Sequence, residues 1–385
     1  MMRWCSRTLT AWLFSAACIS GAACHAADDT GALRGAGPPY PAVTPGTTLV
    51  FPRDHGSHPE FRTEWWYITG WLQDEAGAER GFQLTFFRVR PRIGEASRSR
   101  FSPSQLMLAH AAIADPEKGR LLHAERAERH LPPLASASEA HTDVRIRDWS
   151  LTWSEAPDTE GAYRARVGAG EFAFDLELRP DGPPVLNGQG GYSRKAPDPK
   201  HASYYYSRPQ LKVSGALRAG QDSHRVTGTA WLDHEWSSEI MPAGAQGWDW
   251  IGINLHDGGA LMAFRMRGEN GMPIWRAATL RGTDGGLRTY HADEVRFVPG
   301  REWRSPRSGA TYPVEWALHL AGTAAAPART FRIVPLMDDQ ELDSRASTGA
   351  IYWEGAVRLF EGDTEPSEIG KGYLEMTGYA ERLEM

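Results

Sequence analysis

The sequence predicts an all-β protein built as two antiparallel β-barrels or sandwiches in tandem. Short segments in which apolar and polar residues alternate recur along the chain, for example at 81–86, 172–178 and 331–334. This period of two is typical of strands that bury one face. No long amphipathic helix is visible, and residues 121–129 suggest at most a short one. In addition, one pair of sequence patterns occurs twice.

The repeat consists of two patterns that lie far apart in the chain. Residues 65–68 (WWYI) correspond to residues 248–251 (WDWI). Residues 228–233 (GTAWLD) correspond in the same way to residues 370–375 (GKGYLE). Similarity at both ends of a long unit indicates that the same sheet is built twice. The positions at which the two copies differ are then candidates for a functional site.

Composition shifts divide the chain into four parts. Gly and Pro are frequent before residue 48, and residues 237–244 read as a linker between the two copies. We therefore predict a signal peptide at 1–26, a flexible tether at 27–47, an N-terminal domain at 48–238 and a C-terminal domain at 239–385.

The N-terminus has the pattern of a secretory signal. Arg3 and Arg7 precede a mostly apolar stretch that is too short to span a membrane, and small residues follow it. We expect an exported protein, periplasmic or secreted, with no stable membrane span. The three cysteines (Cys5, Cys18 and Cys24) all lie in this segment, so the domains are expected to lack disulfides. A lipid anchor on Cys24 is an alternative, although the usual aliphatic residue three positions earlier is missing.

Charge and motifs exclude several classes of function. The net charge is -6 and no long basic run occurs, which argues against nucleic acid as a partner. The sequence contains no G-x-S-x-G elbow, H-E-x-x-H helix, phosphate loop or dinucleotide fingerprint. We therefore predict no cofactor.

The segment 233–236 (DHEW) is the first candidate site. It follows the 228–233 pattern of the first copy, whereas the second copy continues with 375–378 (EMTG), which has neither His nor Trp. Alternation places His234 and Trp236 on one face of a strand. A histidine is readily tuned for proton transfer, and a neighbouring Trp can stabilise a developing cation. The alternative is a hydrogen-bonded histidine at a barrel mouth, with Trp236 as core.

A second candidate is the His-rich lead-in at 54–60, together with Glu64. His55 and His58 with a carboxylate would suit several divalent ions, but their spacing on a turn is loose. We favour a barrel mouth in which His58 and Glu64 hydrogen-bond to loops, and we predict no metal. A buried, paired Glu64 would have a perturbed pKa and could act as an acid.

Aromatic residues supply the third candidate, a ligand-binding wall. The chain has 15 Trp, and a surplus of Trp often lines binding sites. Trp66, Tyr204 and Tyr206 are candidates in the first copy, although the Tyr run would equally suit an exposed edge strand. Trp248 and Trp250 open the second copy and could lie between the barrels, where pockets often form.

Together, the tandem layout, residues 64–67 (EWWY) with Gly70, and the segment 228–236 (GTAWLDHEW) resemble the carotenoid 1,2-hydratase superfamily. That superfamily also includes the AttH-type proteins of transporter operons and fungal Diels–Alderases. The resemblance covers about residues 48 to 385. It implies two lipocalin-like (calycin) β-barrels packed together and an extended apolar ligand.

In the hydratase branch, an H-x-W pair with a downstream Tyr and Asp is held to be catalytic. His234 and Trp236 match the first pair, and Asp257, or less well Asp249, would supply the acid. Leu255 stands where the pattern has Tyr, so the chain departs from it at that position.

Two functions remain open at this stage. A hydratase-like lyase would protonate a C=C bond using His234 with Asp257 or Glu64, while Trp236 and Trp248 shield the cation until water adds. A carrier would only bind a lipid or apolar metabolite, in association with an ABC transporter. Sugar binding on Trp platforms is a third, weaker alternative.

Overall fold

The computed structural model describes residues 40–93, 97, 99, 102, 104–156, 159–324, 326–362 and 366–383. The predicted signal peptide and Cys24 lie outside these residues. In the part that is described, the chain is almost entirely β, with two single-turn 3-10 helices at Arg53–His55 and Glu269–Gly271. No helix there is both long enough and apolar enough to cross a membrane.

The first sheet is antiparallel and has 13 strands among the described residues. They are β1 (Thr63–Asp74), β2 (Glu79–Val89), β3 (Leu106–Asp115), β4 (Arg120–Arg129), β5 (Ala135–Ala137), β6 (Asp143–Ile146), β7 (Trp149–Ala156), β8 (Thr159–Gly168), β9 (Phe172–Arg179), β10 (Val185–Leu186), β11 (Tyr192–Arg194), β12 (Ala202–Ala219) and β13 (Asp222–Glu239). The order along the main path is β4-β3-β2-β1-β13-β12-β9-β8-β7-β6-β5, with β10 and β11 paired to β12.

The second sheet repeats the plan with ten described strands. They are β14 (Gly247–Leu255), β15 (Ala260–Arg267), β16 (Pro273–Arg281), β17 (Leu287–Tyr290), β18 (Val295–Pro299), β21 (Trp316–Leu320), β22 (Arg329–Pro335), β23 (Glu341–Ser344), β24 (Ala350–Glu361) and β25 (Ser367–Met376), with the separate hairpin β19 (Glu302–Arg304) and β20 (Thr311–Pro313). The order is β17-β16-β15-β14-β25-β24-β22-β21-β18, with β23 paired to β24.

Each sheet curls around its own apolar core, which confirms the predicted pair of lipocalin-like barrels. In the first barrel the outer strands β4 and β6 approach each other, and Arg126 on β4 donates a hydrogen bond to the Ile146 carbonyl on β6 at 3.2 Å. In the second, β16 packs against β18. Inward residues such as Ile68 and Leu84, or Ile251 and Leu374, are fully buried.

The sequence repeat is a structural repeat. Strand β1 lies between β2 and β13, and β14 lies between β15 and β25 in the same way. The glycine that begins the 228–233 and 370–375 patterns is needed for the same reason in both copies. A Cβ on Gly228 would lie 1.9 Å from the Trp71 carbonyl oxygen. A Cβ on Gly370 would lie 2.8 Å from the carbonyl oxygen of Asn254, the residue equivalent to Trp71. Only glycine allows so close an approach of the two strands.

The barrels pack through equivalent faces in a pseudo-two-fold arrangement. Strand β1 packs on β25, and its counterpart β14 packs on β13. The indole Nε1 of Trp71 donates to the Gly372 carbonyl at 2.9 Å, and the amide Nδ2 of Asn254 donates to the Ala230 carbonyl at 3.0 Å. These two hydrogen bonds join equivalent positions of the two copies, as expected for an isologous contact.

Three sequence-based expectations differ from the structure. Residues 121–129 form strand β4 instead of a short helix, because their alternating side chains pair with β3. The expected linker begins later, since β13 continues through Glu239. Residues 40–47, the part of the predicted flexible tether that the structure describes, pack on the first barrel. Val43 is buried there, and the Thr47 hydroxyl lies 2.8 Å from the Tyr204 hydroxyl.

Candidate functional site

Strand β13 has chemically active residues on both faces. His234 and Trp236 point into the first barrel, where they are almost fully buried. Asp233 and Glu235 point the other way, towards the second barrel. The alternation of a strand therefore separates the segment 233–236 into two sites instead of one.

Inside the first barrel, the buried carboxylate of Glu64 on β1 is the centre of a hydrogen-bond network. Its Oε1 lies 2.8 Å from Nδ1 of His58 and 3.0 Å from Nε2 of His234. Its Oε2 accepts from the Ser57 hydroxyl at 3.0 Å and from Nε of Arg88 at 2.8 Å. Burial alone would raise the pKa of Glu64, but the two histidines and Arg88 outweigh it and hold the pKa well below its usual value.

His58 links this carboxylate to a second one. Its Nε2 lies 3.3 Å from Oδ1 of Asp54, and its ring stacks on Trp236 with centroids 3.7 Å apart. Burial opposes the charged imidazole, but the hydrogen bonds to Asp54 and Glu64 prevail and raise the pKa of His58. The pKa of Asp54 is held at about 2, because hydrogen bonds from His58, Val50 and Arg53 overcome its burial.

His234 continues the network towards Tyr206. Its Nδ1 lies 3.2 Å from the Tyr206 hydroxyl, which in turn lies 2.7 Å from Nδ1 of His55. Burial lowers the pKa of His234 despite the opposing effect of Glu64, and it lowers the pKa of His55 to about 3. Both rings are therefore neutral at pH 7, and one choice of tautomers satisfies this series of hydrogen bonds. Nδ1–H of His55 donates to the Tyr206 hydroxyl, the Tyr206 hydroxyl donates to Nδ1 of His234, and Nε2–H of His234 donates to Glu64.

This network has no spare capacity for a substrate. Glu64 and His234 are both fully buried, and both nitrogens of His234 have partners. The ligand atoms of His58, Glu64 and His234 lie within 4.8 Å of one another, which is compact enough for a cation. A cation there would have to displace the protons that both histidines share with Glu64, beside the Arg88 guanidinium. The arrangement fits an ion-paired network that fixes β1, β13 and the lead-in segment.

The other face of β13 borders a cavity between the barrels. Its volume is about 70 Å³, several times the roughly 10–15 Å³ that one water needs. Three half-buried aromatic residues, Trp65, Phe87 and Trp248, mark its opening. The rest of the wall contains Tyr67, Thr85, Lys195, Asp233, Glu235, Ile240, Trp250, Phe264, Tyr352, Glu354 and Glu375, of which Glu375 is also half-buried.

Two carboxyl groups of the second barrel meet in this cavity. Glu354 on β24 and Glu375 on β25 are directly opposite in the strand pairing. Burial and the neighbouring Glu375 raise the pKa of Glu354 well above its usual value. Burial, with the charges of Asp233 and Glu235, raises the pKa of Glu375 to about 7. A raised pKa leaves a carboxyl group partly protonated near neutral pH, so the pair can hold both an acid and a base.

Asp233 faces the same cavity, but its carboxyl group accepts three hydrogen bonds from protein side chains. Its oxygens accept hydrogen bonds from the Tyr205 and Ser207 hydroxyls and the Trp231 indole, each at 2.6 Å. Burial raises its pKa to about 7, although these three donors oppose the shift. Nearby, Nζ of Lys195 lies 2.7 Å from Oε1 of Glu235, and both side chains are buried.

The structure divides the predicted site residues between the two regions. The first barrel's interior holds one group, namely Glu64, Trp66, Tyr204, Tyr206, His234 and Trp236. Trp248 and Trp250 line the cavity between the barrels, where they were expected.

The two acids proposed downstream join neither region. Asp257 lies in the exposed turn after β14, where its Oδ1 accepts from the Gly259 amide at 2.8 Å. It is therefore not brought to His234. Asp249 is buried in the second barrel, where Nε of Arg265 lies 2.7 Å and Nε of Arg267 lies 3.0 Å from its Oδ2. Its role there is that of a structural ion pair.

Glu354 and Glu375 were not predicted from the sequence. A signal for Glu375 was present, because the repeat aligns it with Asp233 and gives both copies an acid at the end of the G-x-x-(W/Y)-L-(D/E) pattern. Glu354 had no such signal, since its equivalent in the first copy is Ser207, which is likewise opposite the acid.

Comparison with known proteins identifies the chain's family. The AttH-like family model matches residues 42–379, nearly the whole of both barrels. The chain belongs to the AttH-like family. No curated protein matches it.

Solved structures show the same fold. A crystal structure of an AttH protein from Nitrosomonas europaea is 46% identical, covers 88% of this chain and 99% of its own, and superposes with a TM-score of 0.79. Kievitone hydratase from Nectria haematococca is 15% identical, covers 86% and 93%, and has a TM-score of 0.66. CghA with Sch210972 is 14% identical, covers 83% and 89%, and has a TM-score of 0.52. The last two likenesses concern the fold alone.

Proposed function

We propose that this AttH-like protein binds an apolar small molecule in the cavity between its barrels and adds water to a C=C bond of that molecule. The observation that carries the proposal is the pair Glu354 and Glu375 on the wall of an aromatic cavity. Hydration of an unactivated double bond needs an acid, a site that tolerates a cation, and a base. The acids and aromatic faces that line the cavity would supply all three.

The reaction can be written with the residues of the cavity. The carboxylic acid of Glu354 protonates one alkene carbon, and the π electrons form the new C–H bond, leaving a carbocation at the other carbon. The faces of Trp65 and Trp250 stabilise this cation. Water then attacks it, and the carboxylate of Glu375 accepts the proton that water loses. A proton passed back between the two paired carboxyls restores the starting state.

In this scheme His234 and Glu64 are positioning residues that do not react themselves. Their network fixes β1 and β13, the strands that carry Tyr67 and Asp233 to the cavity. Kievitone hydratase, which shares the fold, is by its name a hydratase, and this supports water addition as a reaction that the fold can perform. The signal pattern at 1–26 leads us to propose that the protein works outside the cytoplasm, with an ABC transporter as a candidate partner.

The test uses an apolar extract of the source cells, incubated with the protein in water labelled with oxygen-18. We expect products that are heavier than a component of the extract by one labelled water molecule, as measured by mass spectrometry. Glu354→Gln should reduce their rate of formation by roughly 10²–10⁴-fold, the usual contribution of a general acid. Glu361→Gln is the matched control, because Glu361 lies on the same strand but pairs with Arg329 near the surface. Binding of an extract component without any labelled product would instead support the carrier.

A further inference from the structure

The cavity between the barrels has an unequal set of charged groups. Four carboxyl groups line it, from Asp233, Glu235, Glu354 and Glu375, against the single ammonium of Lys195. Lys195 is already committed to Glu235 at 2.7 Å. Three carboxyls therefore remain without a cationic partner on the cavity wall, and an anionic ligand would meet them at close range.

Lys195 shows how the cavity wall binds an ammonium group. Its Nζ lies 4.7 Å from the ring centroids of both Tyr205 and Phe264, as well as beside Glu235. Aromatic faces combined with a carboxylate are the usual recognition elements for alkylammonium ions. Trp65, Trp248 and Trp250 offer further faces of the same kind around the cavity.

Glu354 also has an unused acceptor. Its Oε1 and the Tyr67 hydroxyl are both buried without a hydrogen bond of normal length among the described residues, although the two groups lie close enough for each to affect the other's pKa. Glu354 is only 3% exposed, so an unpaired oxygen there is costly unless a ligand group satisfies it. Both residues line the cavity, which places a polar recognition point at its inner end.

We infer that the ligand of this cavity is an apolar molecule that carries a positively charged nitrogen, held by Glu354 and Glu375 and by the surrounding aromatic faces. The inference rests on the proposed function only in taking this cavity as the ligand site. It distinguishes the protein from a carrier of fatty acids, whose carboxylate would be repelled.

Binding of a cation should depend on pH, because ionised carboxyls hold it best. Burial raises the pKa of Glu375 to about 7, so this group ionises as the pH rises from 6 to 8. A bound cation favours the ionised form and should release a proton. The titratable groups around the pair are Glu235 and Asp233 on β13, Asp249 on β14, Tyr67 on β1, and Tyr352 on β24. The one cation that lines the cavity among the described residues is Lys195, and its ammonium is paired with Glu235 at 2.7 Å, so it does not replace the ligand's charge beside Glu354 and Glu375.

Three probes with the same tail test the inference: octylammonium, which can donate N–H hydrogen bonds to Glu354, octanol and octanoate, each below its micelle concentration. Titration calorimetry should show the cation binding about tenfold or more tightly than octanol, and octanoate binding most weakly. Affinity for the cation should rise between pH 6 and 8, with proton release detected by comparing two buffers. Glu354→Gln and Glu375→Gln should each reduce the preference for the cation, while Glu361→Gln keeps it. Circular dichroism checks that each variant is folded.

The outcomes separate the two proposals. Octanoate bound as tightly as the cation, or octanol bound equally, would overturn the inference. If octanol binds and Trp250→Ala abolishes that binding, the cavity remains the ligand site. If none of the probes binds, the cavity as a ligand site fails, and the proposed function fails with it.

Discussion

The carboxyl groups on the two sides of β1 and β13 have pKa values shifted in opposite directions. On the inner face, Glu64 has two histidines, a serine and an arginine around its oxygens, and its pKa is held well below the usual value. On the outer side, Glu354 and Glu375 of the second barrel line the cavity, and burial together with neighbouring acids raises their pKa values. Glu64 and Glu354 are almost fully buried, whereas Glu375 is half-buried, so burial does not account for the opposite pKa shifts of Glu64 and Glu354.

What distinguishes them is the number of partners. A carboxylate with every lone pair satisfied is stable as an ion and has nothing to offer a ligand, whereas an acid short of donors keeps its proton and can give it away. Under the proposed function, the cluster that contains His58 and His234 therefore has a structural role, and the cavity between the barrels is the reactive region. The comparison makes four predictions, given in order of decreasing expected effect.

The largest effect is expected from Glu64→Gln. It leaves the guanidinium of Arg88 buried without its counter-ion, and the loss of one partner of a buried pair costs about 3–5 kcal/mol. Urea denaturation gives the free energy of unfolding. Glu177→Gln is the control, because its pair with Arg179 is exposed and should contribute less than ~1 kcal/mol. A stable Glu64→Gln that has lost ligand binding would move the reactive site into the first barrel.

The second prediction uses pH. The pKa of Glu375 rises from 4.5 to about 7 on folding, so the folded state binds its proton more tightly. The stability that this gives is complete below pH 4.5 and is lost as the pH rises through 7. Glu375→Gln should therefore gain stability relative to the wild type between pH 4.5 and about 7, by up to ~1.4 kcal/mol per pH unit, and the difference should level off at higher pH. Urea titrations of both proteins at several pH values provide the measurement. A constant difference across that range would mean that Glu375 is ionised throughout.

A third, smaller effect is expected from Trp71→Phe. The substitution removes one hydrogen bond between the barrels and leaves the Gly372 carbonyl without it, at a cost of about 1–3 kcal/mol. Calorimetry should show a lower melting temperature and still a single transition, because the barrels share a buried apolar interface. Two separated transitions in the wild type would show that the barrels unfold independently.

The smallest effect belongs to Asp257→Asn. The side chain is exposed in a turn, so the free energy of unfolding should change by no more than about 0.5 kcal/mol, and ligand binding should not change. A large loss of activity in this variant would restore the acid implied by the resemblance to carotenoid hydratases.

The architecture could be predicted from the sequence because strands and repeats leave local marks. Alternation revealed the strands, and the aligned 65–68 and 248–251 segments placed β1 and β14 at equivalent positions. The same alternation correctly placed His234 with Trp236 on one face. Which face borders a cavity depends on how two barrels pack, and no local pattern encodes that.

The site was harder to predict for the same reason. Trp248 and Trp250 were identified because they follow the junction between the copies. Glu354 and Glu375 come together only through pairing of β24 with β25 and docking of both on the first barrel. Asp257 was chosen by its spacing in the chain, and spacing says nothing about the direction in which a turn points.

The pseudo-two-fold contact between the barrels has an evolutionary consequence. In a homodimer of identical barrels, symmetry would force the same acid into both halves of the shared cavity. Joining the copies in one chain frees each position to change alone. Asp233 has three hydrogen-bond donors, while its counterpart Glu375 has a second acid as neighbour. The contact between the barrels is therefore symmetric in its strands and asymmetric in its acids.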